Sequence, residues 1–291
     1  MCWFQRVVRT FSLFHQPVLI SVEGIIGAGK ATLCESLADE LRRLGLVVVV
    51  VREPVDQWKK GGLLKDFYND IPKFAFEFQI TAFTTRVNSI CHAWDQHGSN
   101  VDVYLMERSI YSDTLFVQTL QEDKLMTDRQ VRTYFQIWKR YVQDKHLPRP
   151  ITGFIFLDAD PNTAQERVKA RNVKEEQNKV SLEYQTRLRN HHIYRLLGTK
   201  TQAWKEAAGS GIKPTKHTIF PTKASIVHVT PDMAQLDFRT LSGTGPLIPL
   251  AEALCIRLIG FVLTGCTTAN QWANLAQLSC GVVTLLLGYF A

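Results

Sequence analysis

A chain of 291 residues, 45% of them hydrophobic, is long enough for one large α/β domain or two small ones and can fill a substantial core, which excludes a disordered chain. Lys and Arg outnumber Asp and Glu by 34 to 27, and the net charge of +7 suits an anionic ligand without separating a nucleotide from a nucleic acid. The six cysteines (Cys2, Cys34, Cys91, Cys255, Cys266 and Cys280) are scattered without a C-x-x-C pair, so free thiols in a reducing compartment such as the cytoplasm are expected, not a disulfide or zinc framework.

Residues 1–17 carry Arg6 and Arg9, no acidic residue, and the aromatics Trp3, Phe4, Phe11 and Phe14. They read either as a short mitochondrial targeting sequence or as a plain N-terminal extension. Next come VLISV (18–22) and LVVVVV (46–51), apolar β-branched runs typical of strands buried on both faces of a parallel sheet. Between them Leu33, Leu37, Leu41 and Leu44 recur at helical spacing, so the first unit is βαβ. Further strands are expected at 101–106, 152–158 and 225–230, with helical stretches at 74–97, 127–145 and 181–205. The fold class is thus α/β, a doubly wound parallel sheet of about five strands with helices on both faces. Residues 198–223, rich in Gly, Lys, Thr and Pro, read as a surface insertion. The domain spans 18–245, and 246–291 form an apolar helical tail. No charge follows Arg257, and the final run, 275–291, is near the lower length limit for a membrane span and lacks a basic flank. A packed or interfacial helix is expected there, with a membrane anchor as the alternative.

The first strand runs into GIIGAGKAT, comprising Gly24, Ile25, Ile26, Gly27, Ala28, Gly29, Lys30, Ala31 and Thr32. Gly24, Gly29 and Lys30 fit the G-x-x-x-x-G-K phosphate loop in its strand–loop–helix setting. Glycines let backbone N–H groups converge on phosphate oxygens at a helix N-terminus, and the lysine reaches the transferring phosphate. Ala31 departs from the pattern, standing where a Ser or Thr ordinarily ligates Mg²⁺. Thr32, one place on, is the alternative hydroxyl, for a phosphate or, with a shifted loop, for the metal.

A phosphate loop names a superfamily and not a reaction. The second strand ends in REPVDQW (52–58) and the third in ERSIYSD (107–113), which places Glu53, Glu107 and Arg108 on the carboxyl edge where ligands of such sheets bind. Glu53 is a candidate base, Glu107 a metal partner and Arg108 a cation. Arg167 and Arg171, four residues apart, are candidates for a clamp that closes over phosphates. Gln79, Ala82 and Arg86 share a helix face, and Asp113 at the start of a later helix can meet Arg86 across a pocket. Taken singly, Glu53 is equally an ordinary strand-end carboxylate, Tyr68 an ordinary helix residue and the arginines a solvated face. His191 and His192 share no metal-ligand spacing with other residues.

Together the phosphate loop, EPVDQW, Tyr68, FQITAFTTR (78–86), ERSIYSD and ERVKARNVKEEQ (166–177) resemble the deoxynucleoside kinase family in its deoxycytidine and deoxyguanosine kinase branch, in order and spacing from about residue 18 to 196. The resemblance implies ATP-dependent phosphorylation of a deoxynucleoside 5′-hydroxyl with Mg²⁺, nucleotide salvage as the setting, a helical lid, a homodimer built through helices and no nucleic-acid partner. It makes Glu53 the general base, Arg108 its positioning partner and Glu107 an aid to Mg²⁺. Lys30, Arg167 and Arg171 serve the phosphates, Tyr68 and Glu176 bind the sugar 3′-hydroxyl, and Gln79 with Ala82, Arg86 and Asp113 reads the base. Departures accompany it. Val173 stands where the family has a further lid arginine, with Lys174 adjacent, and the chain runs one residue longer after Glu176. The phenylalanine that packs on the base aligns with Val117, and Phe116 is expected to face elsewhere. Two rivals stay open: a nucleoside monophosphate kinase, and a non-catalytic subunit that retains the fold. The missing hydroxyl yields one test. Lys30→Ala is expected to abolish transfer, whereas Ala31→Ser is expected to maintain or raise the Mg²⁺-dependent rate, and a clear fall for Ala31→Ser in a rate assay would contradict the expected metal ligation.

Overall fold

A computed structural model describes residues 17–43, 46–143, 146–171, 179–197, 202–209 and 225–229. The expectations for residues 1–16, for Val173, Lys174 and Glu176, for 198–201 and 210–223 of the insertion and for the 246–291 tail lie outside these residues.

Five parallel strands form one sheet in the order β2-β3-β1-β4-β5: β1 (Val18–Glu23), β2 (Val48–Val51), β3 (Val103–Glu107), β4 (Ile151–Leu157) and β5 (Ser225–Val229). All six residues of β1 are buried, Ser21 and Glu23 included, as expected of a central strand whose two faces are both covered by helices. Burying one such Val or Leu side chain contributes about 1.5–3 kcal/mol, so the central strand anchors whatever follows its carboxyl end. That is the phosphate loop, which opens α1 (Lys30–Arg43).

From β2 the chain passes through two short helices, α2 (Val55–Lys60) and α3 (Leu63–Asn69), into the long α4 (Ile71–His97). Asp70 caps α4 by accepting from the Lys73 N–H, and Gly98 follows its last residue. After β3 comes α5 (Ile110–Glu122), then α6 (Asp128–Gln143), both before β4. Beyond β4 lie α7 (Pro161–Ala170), α8 (Leu182–Leu196) and α9 (Gln202–Gly209). One expectation is corrected here: the single helical stretch 181–205 is two helices. Leu197 takes extended backbone (φ −101°, ψ 145°) immediately before Gly198, a residue that disfavours helix continuation. Among the described residues no helix is long and apolar enough to cross a membrane.

Strand order decides where function gathers. From β1 the chain crosses over β3 to reach β2, and from β3 it crosses back over β1 to reach β4, and a reversal of this kind opens a crevice at the carboxyl edge. β3 flanks β1 with Val22 paired to Glu107, and Arg108 and Ser109 bond Val22 and Glu23, so residues 107–109 lie at the end of β1 that leads into the phosphate loop.

Candidate active site

A cavity of about 510 Å³ opens at this edge. One end is the phosphate loop, where Ile26, Gly27, Lys30 and Ala31 reach the wall. Gly27 has φ +81°, and a Cβ there would lie 2.2 Å from the Ala164 carbonyl oxygen of α7, so only glycine lets the helix pack this closely. The Lys30 amine, 5% exposed, donates to the Ile25 carbonyl at 2.9 Å. Burial, seconded by the charge of Arg108, pulls its pKa down to about 7 against the opposing pull of Glu107 and Glu53. A buried amine under a glycine loop, with its charge suppressed until an anion arrives, fits a phosphate chain. Glu107 also lines the cavity, whereas Thr32 is exposed and is not part of its wall. No group of three or more His, Cys, Asp or Glu side chains is placed to hold a metal ion among the described residues. A single carboxylate beside phosphates is nonetheless how Mg²⁺ is often held, so the donor set fits that ion.

The lid arginines separate. Arg167 on α7 donates from Nη1 to the Ala28 carbonyl at 3.0 Å, and Arg171, at the C-terminal cap of the same helix, lines the cavity.

The other end of the cavity holds charges inside an aromatic wall. Arg86 of α4 is 4% exposed and bonds both Glu53, just after β2, and Asp113 of α5, the latter at 2.5 Å. Arg108 Nε stands 3.5 Å from the same Glu53 oxygen. Burial alone would raise the Glu53 pKa, but Arg86, Arg108 and Lys30 outweigh it and hold the carboxyl below its ordinary value. Burial pushes Asp113 up to about 6, with Arg86 opposing. Among the described residues Asp113 Oδ2 and Arg86 Nε have no hydrogen-bond partner. Arg108 takes a left-handed φ of 66°, a conformation that costs about 1–3 kcal/mol in a non-glycine residue. It is held by its N–H to the Val22 carbonyl at 3.0 Å and by its guanidinium lying 4.7 Å over the Phe116 ring.

Around these charges Phe67 stacks on Phe78 at 4.4 Å, and Trp58 meets Phe78 edge-on at 5.5 Å. Tyr68, Gln79 and Ala82 complete this side, so Glu53, Tyr68, Gln79, Ala82, Arg86, Arg108 and Asp113 share one cavity. Phe116 corrects an expectation: it lines the cavity, while Val117 is fully buried in the core. Helix α5 places position 116, three residues after Asp113 and so nearly on the same face, toward the site, and 117 a further step around the helix. Tyr184, Arg187 and Asp123, which no sequence pattern singled out, also line the cavity, the last two as an ion pair of 2.6 Å. Equally unforeseen is Glu23, a buried carboxylate at the end of β1 that accepts from Ser21 at 2.7 Å and from Ser109, the cap of α5, at 2.5 Å. An acidic residue ending an apolar strand just before the glycine loop was the available signal. His191 bonds Gln118 and Glu122, and burial lowers His192 to about 3, so both act in packing and not as ligands in the cavity wall.

A parallel sheet with a phosphate loop on its central strand and an acidic, aromatic chamber beyond defines a nucleotide-binding α/β phosphotransferase class. Residues 20–210 match the family model described as deoxynucleoside kinase. The chain is 31% identical over 182 residues to the fowlpox virus (strain NVSL) protein named probable deoxycytidine kinase FPV151, covering 62% of this chain and 72% of the relative. It is 32% identical over 172 residues to the deoxyadenosine kinase of Dictyostelium discoideum (59% and 63%) and 28% identical over 184 residues to the deoxyguanosine kinase of the same organism (63% and 60%). The chain thus spans less than two thirds of the length of these two Dictyostelium relatives. It belongs to the deoxynucleoside kinase family.

The depressed Lys30 amine carries a pH consequence. Unliganded, Lys30 is largely neutral above about pH 7 and protonated below it; a bound triphosphate favours the charged form at either pH. Titration calorimetry of ATP in buffers of different ionisation enthalpy is expected to show proton uptake approaching one at about pH 8, little at about pH 6, and none in Lys30→Met. Equal uptake at both pH values would contradict the assignment.

Proposed function

We propose that the chain transfers the γ-phosphoryl group of ATP to the 5′-hydroxyl of a deoxynucleoside, with deoxycytidine or a purine deoxynucleoside favoured. The observation that carries this reading is the Glu53 carboxylate, held ionised by Arg86 and Arg108 between the Lys30 cradle and the aromatic chamber. A nucleoside seated among Phe78, Trp58 and Phe116 would bring its 5′-hydroxyl to Glu53. Glu53 would then accept the hydroxyl proton, Arg108 would hold Glu53 in place, and Lys30 and Arg171 would bind the phosphates. Such positioning and charge neutralisation is most of what phosphoryl transfer needs from a protein. Mg²⁺ bound at Glu107 and the phosphates would supply further neutralisation of phosphate charge. Tyr68 is the described candidate for the sugar 3′-hydroxyl; Glu176 lies outside the described residues.

Base choice follows from the unpaired Asp113 Oδ2 acceptor. Cytosine, adenine and guanine each carry an exocyclic amino donor, which thymine lacks. A buried polar site rejects a base that leaves its groups unpaired far more strongly than an apolar pocket does.

Radiolabelled ATP with each of the four deoxynucleosides tests the reading: transfer to none of them, or to a monophosphate instead, would overturn it. Glu53→Gln is expected to bind deoxynucleoside nearly normally yet lose at least about a hundredfold in kcat, the scale of a general base; unchanged turnover would remove Glu53 from that role. The combined Arg86→Met and Asp113→Ala variant is expected to shift kcat/KM toward thymidine. Both partners are replaced because removing one strands the other's buried charge. An unchanged ranking of the four substrates would sink the base assignment.

A further inference from the structure

We propose that Gln185 is a positioning residue for the phosphate loop, clamping the backbone of Ile26 on both sides of its Cα so that nucleotide affinity depends on helix α8. Gln185 lies in the first turn of α8, next to the cavity-lining Tyr184, and is fully buried. Its amide Nε2 donates to the Ile26 carbonyl at 2.6 Å, and its Oε1 accepts from the Ile26 N–H at 3.2 Å. Both ends of the side chain are therefore bound to the backbone N–H and C=O of one residue, in the two successive peptide units that flank Ile26, 159 residues away in sequence.

Packing alone does not account for this residue. A buried amide loses hydration and rotamer freedom, and an apolar side chain would fill the same space without that cost. The amide is offset only because it satisfies two backbone groups of a residue that lies in neither a helix nor a strand. The two residues after Ile26 are held by α7. Gly27 sits against the Ala164 carbonyl, and Ala28 receives Arg167 Nη1 at 3.0 Å. Three successive loop residues are thus fastened to α7 and α8, helices consecutive in the chain. Among the described residues the α7 contacts press on Gly27 and Ala28 without bonding Ile26, so the backbone conformation of Ile26, which lines the cavity, is left to Gln185. Because Ile26 and Gly27 line the phosphate end, a change in the dihedrals of Ile26 moves the cradle and leaves the aromatic chamber in place. The effect belongs to ATP and not to the deoxynucleoside.

This inference rests on the kinase reading for the identity of the nucleotide, and its test separates the two. Calorimetric titration of Mg-ATP and of deoxycytidine is made on the full chain, Gln185→Leu and Gln185→Glu, alongside steady-state kinetics. Gln185→Leu, which removes both bonds at similar volume, is expected to weaken ATP about tenfold or more while deoxycytidine stays within about twofold. Gln185→Glu is isosteric, and its carboxylate accepts from the Ile26 N–H but cannot donate to the carbonyl; the protonated acid can do both. Its ATP affinity relative to the unmodified chain at each pH is therefore expected to recover as pH falls from about 8 to about 6, a signature that packing does not produce. ATP affinity within about twofold for both variants, or equal weakening of ATP and deoxycytidine, would overturn the proposal. If Gln185→Leu does not fold, the Gln185→Glu ratio decides, and a ratio flat with pH overturns it. An unmodified chain that binds ATP yet phosphorylates no deoxynucleoside would sink the kinase reading while leaving the clamp supported by the ATP response.

Discussion

Glu53, Arg86, Arg108 and Asp113 are four charged side chains held largely out of water at the carboxyl edge of the sheet. Any one of them alone would carry a desolvation penalty of several kcal/mol, and breaking such a buried set by removing one partner typically costs about 3–5 kcal/mol. Each is therefore a condition for the others. They come from the ends of β2 and β3 and from α4 and α5, so the charge set also specifies how these four elements must meet. Hydrophobic burial holds the helices to the sheet, but it is non-directional; the ion pairs and their hydrogen bonds supply the directions. The same network leaves one carboxylate poised beside the lysine cradle and one acceptor facing no partner.

The phosphate end is organised by a different economy of contacts. Its backbone belongs to no ladder, and it is shaped by what packs around it: Ala164 against Gly27, Arg167 on Ala28, Gln185 on Ile26. β1 behind it is wholly buried and so gives it a fixed origin. Glu23, at the end of that strand, accepts from Ser109 and thereby joins the loop's root to the cap of α5, the helix that carries Asp113 and Phe116. The nucleotide and nucleoside halves are consequently parts of one hydrogen-bonded assembly. Strain at Arg108, between the two halves, is tolerated because stacking on Phe116 and the backbone bond to Val22 over-determine its position.

Much of this was legible before any coordinates. Unbroken β-branched runs announce buried parallel strands, and the five expected ones match the observed strands to within two residues at each end. Spacing of three and four residues placed Gln79, Ala82 and Arg86 on one face of α4, and strand ends put Glu53, Glu107 and Arg108 at one edge. Less legible were features that turn on one step of helix rotation or on partners distant in sequence. Phe116 against Val117 is such a case, since about 100° of rotation separates adjacent helix positions and only the packing of α5 decides which one faces the cavity. The break at Leu197 is another, because local periodicity continued past it.

The sequence by itself therefore determined the class of fold, the glycine loop with its lysine, and the identity of the charged residues at the sheet's edge, because these depend on local pattern and on the period of strands and helices. Tertiary structure alone decided which charges pair, that Lys30 is buried enough to titrate near neutrality, and that a glutamine from α8 holds the loop peptide. The physical reason is range: hydrophobic periodicity is written within a dozen residues, whereas desolvation and hydrogen-bond satisfaction are set by whatever side chains the closed fold brings within a few ångströms.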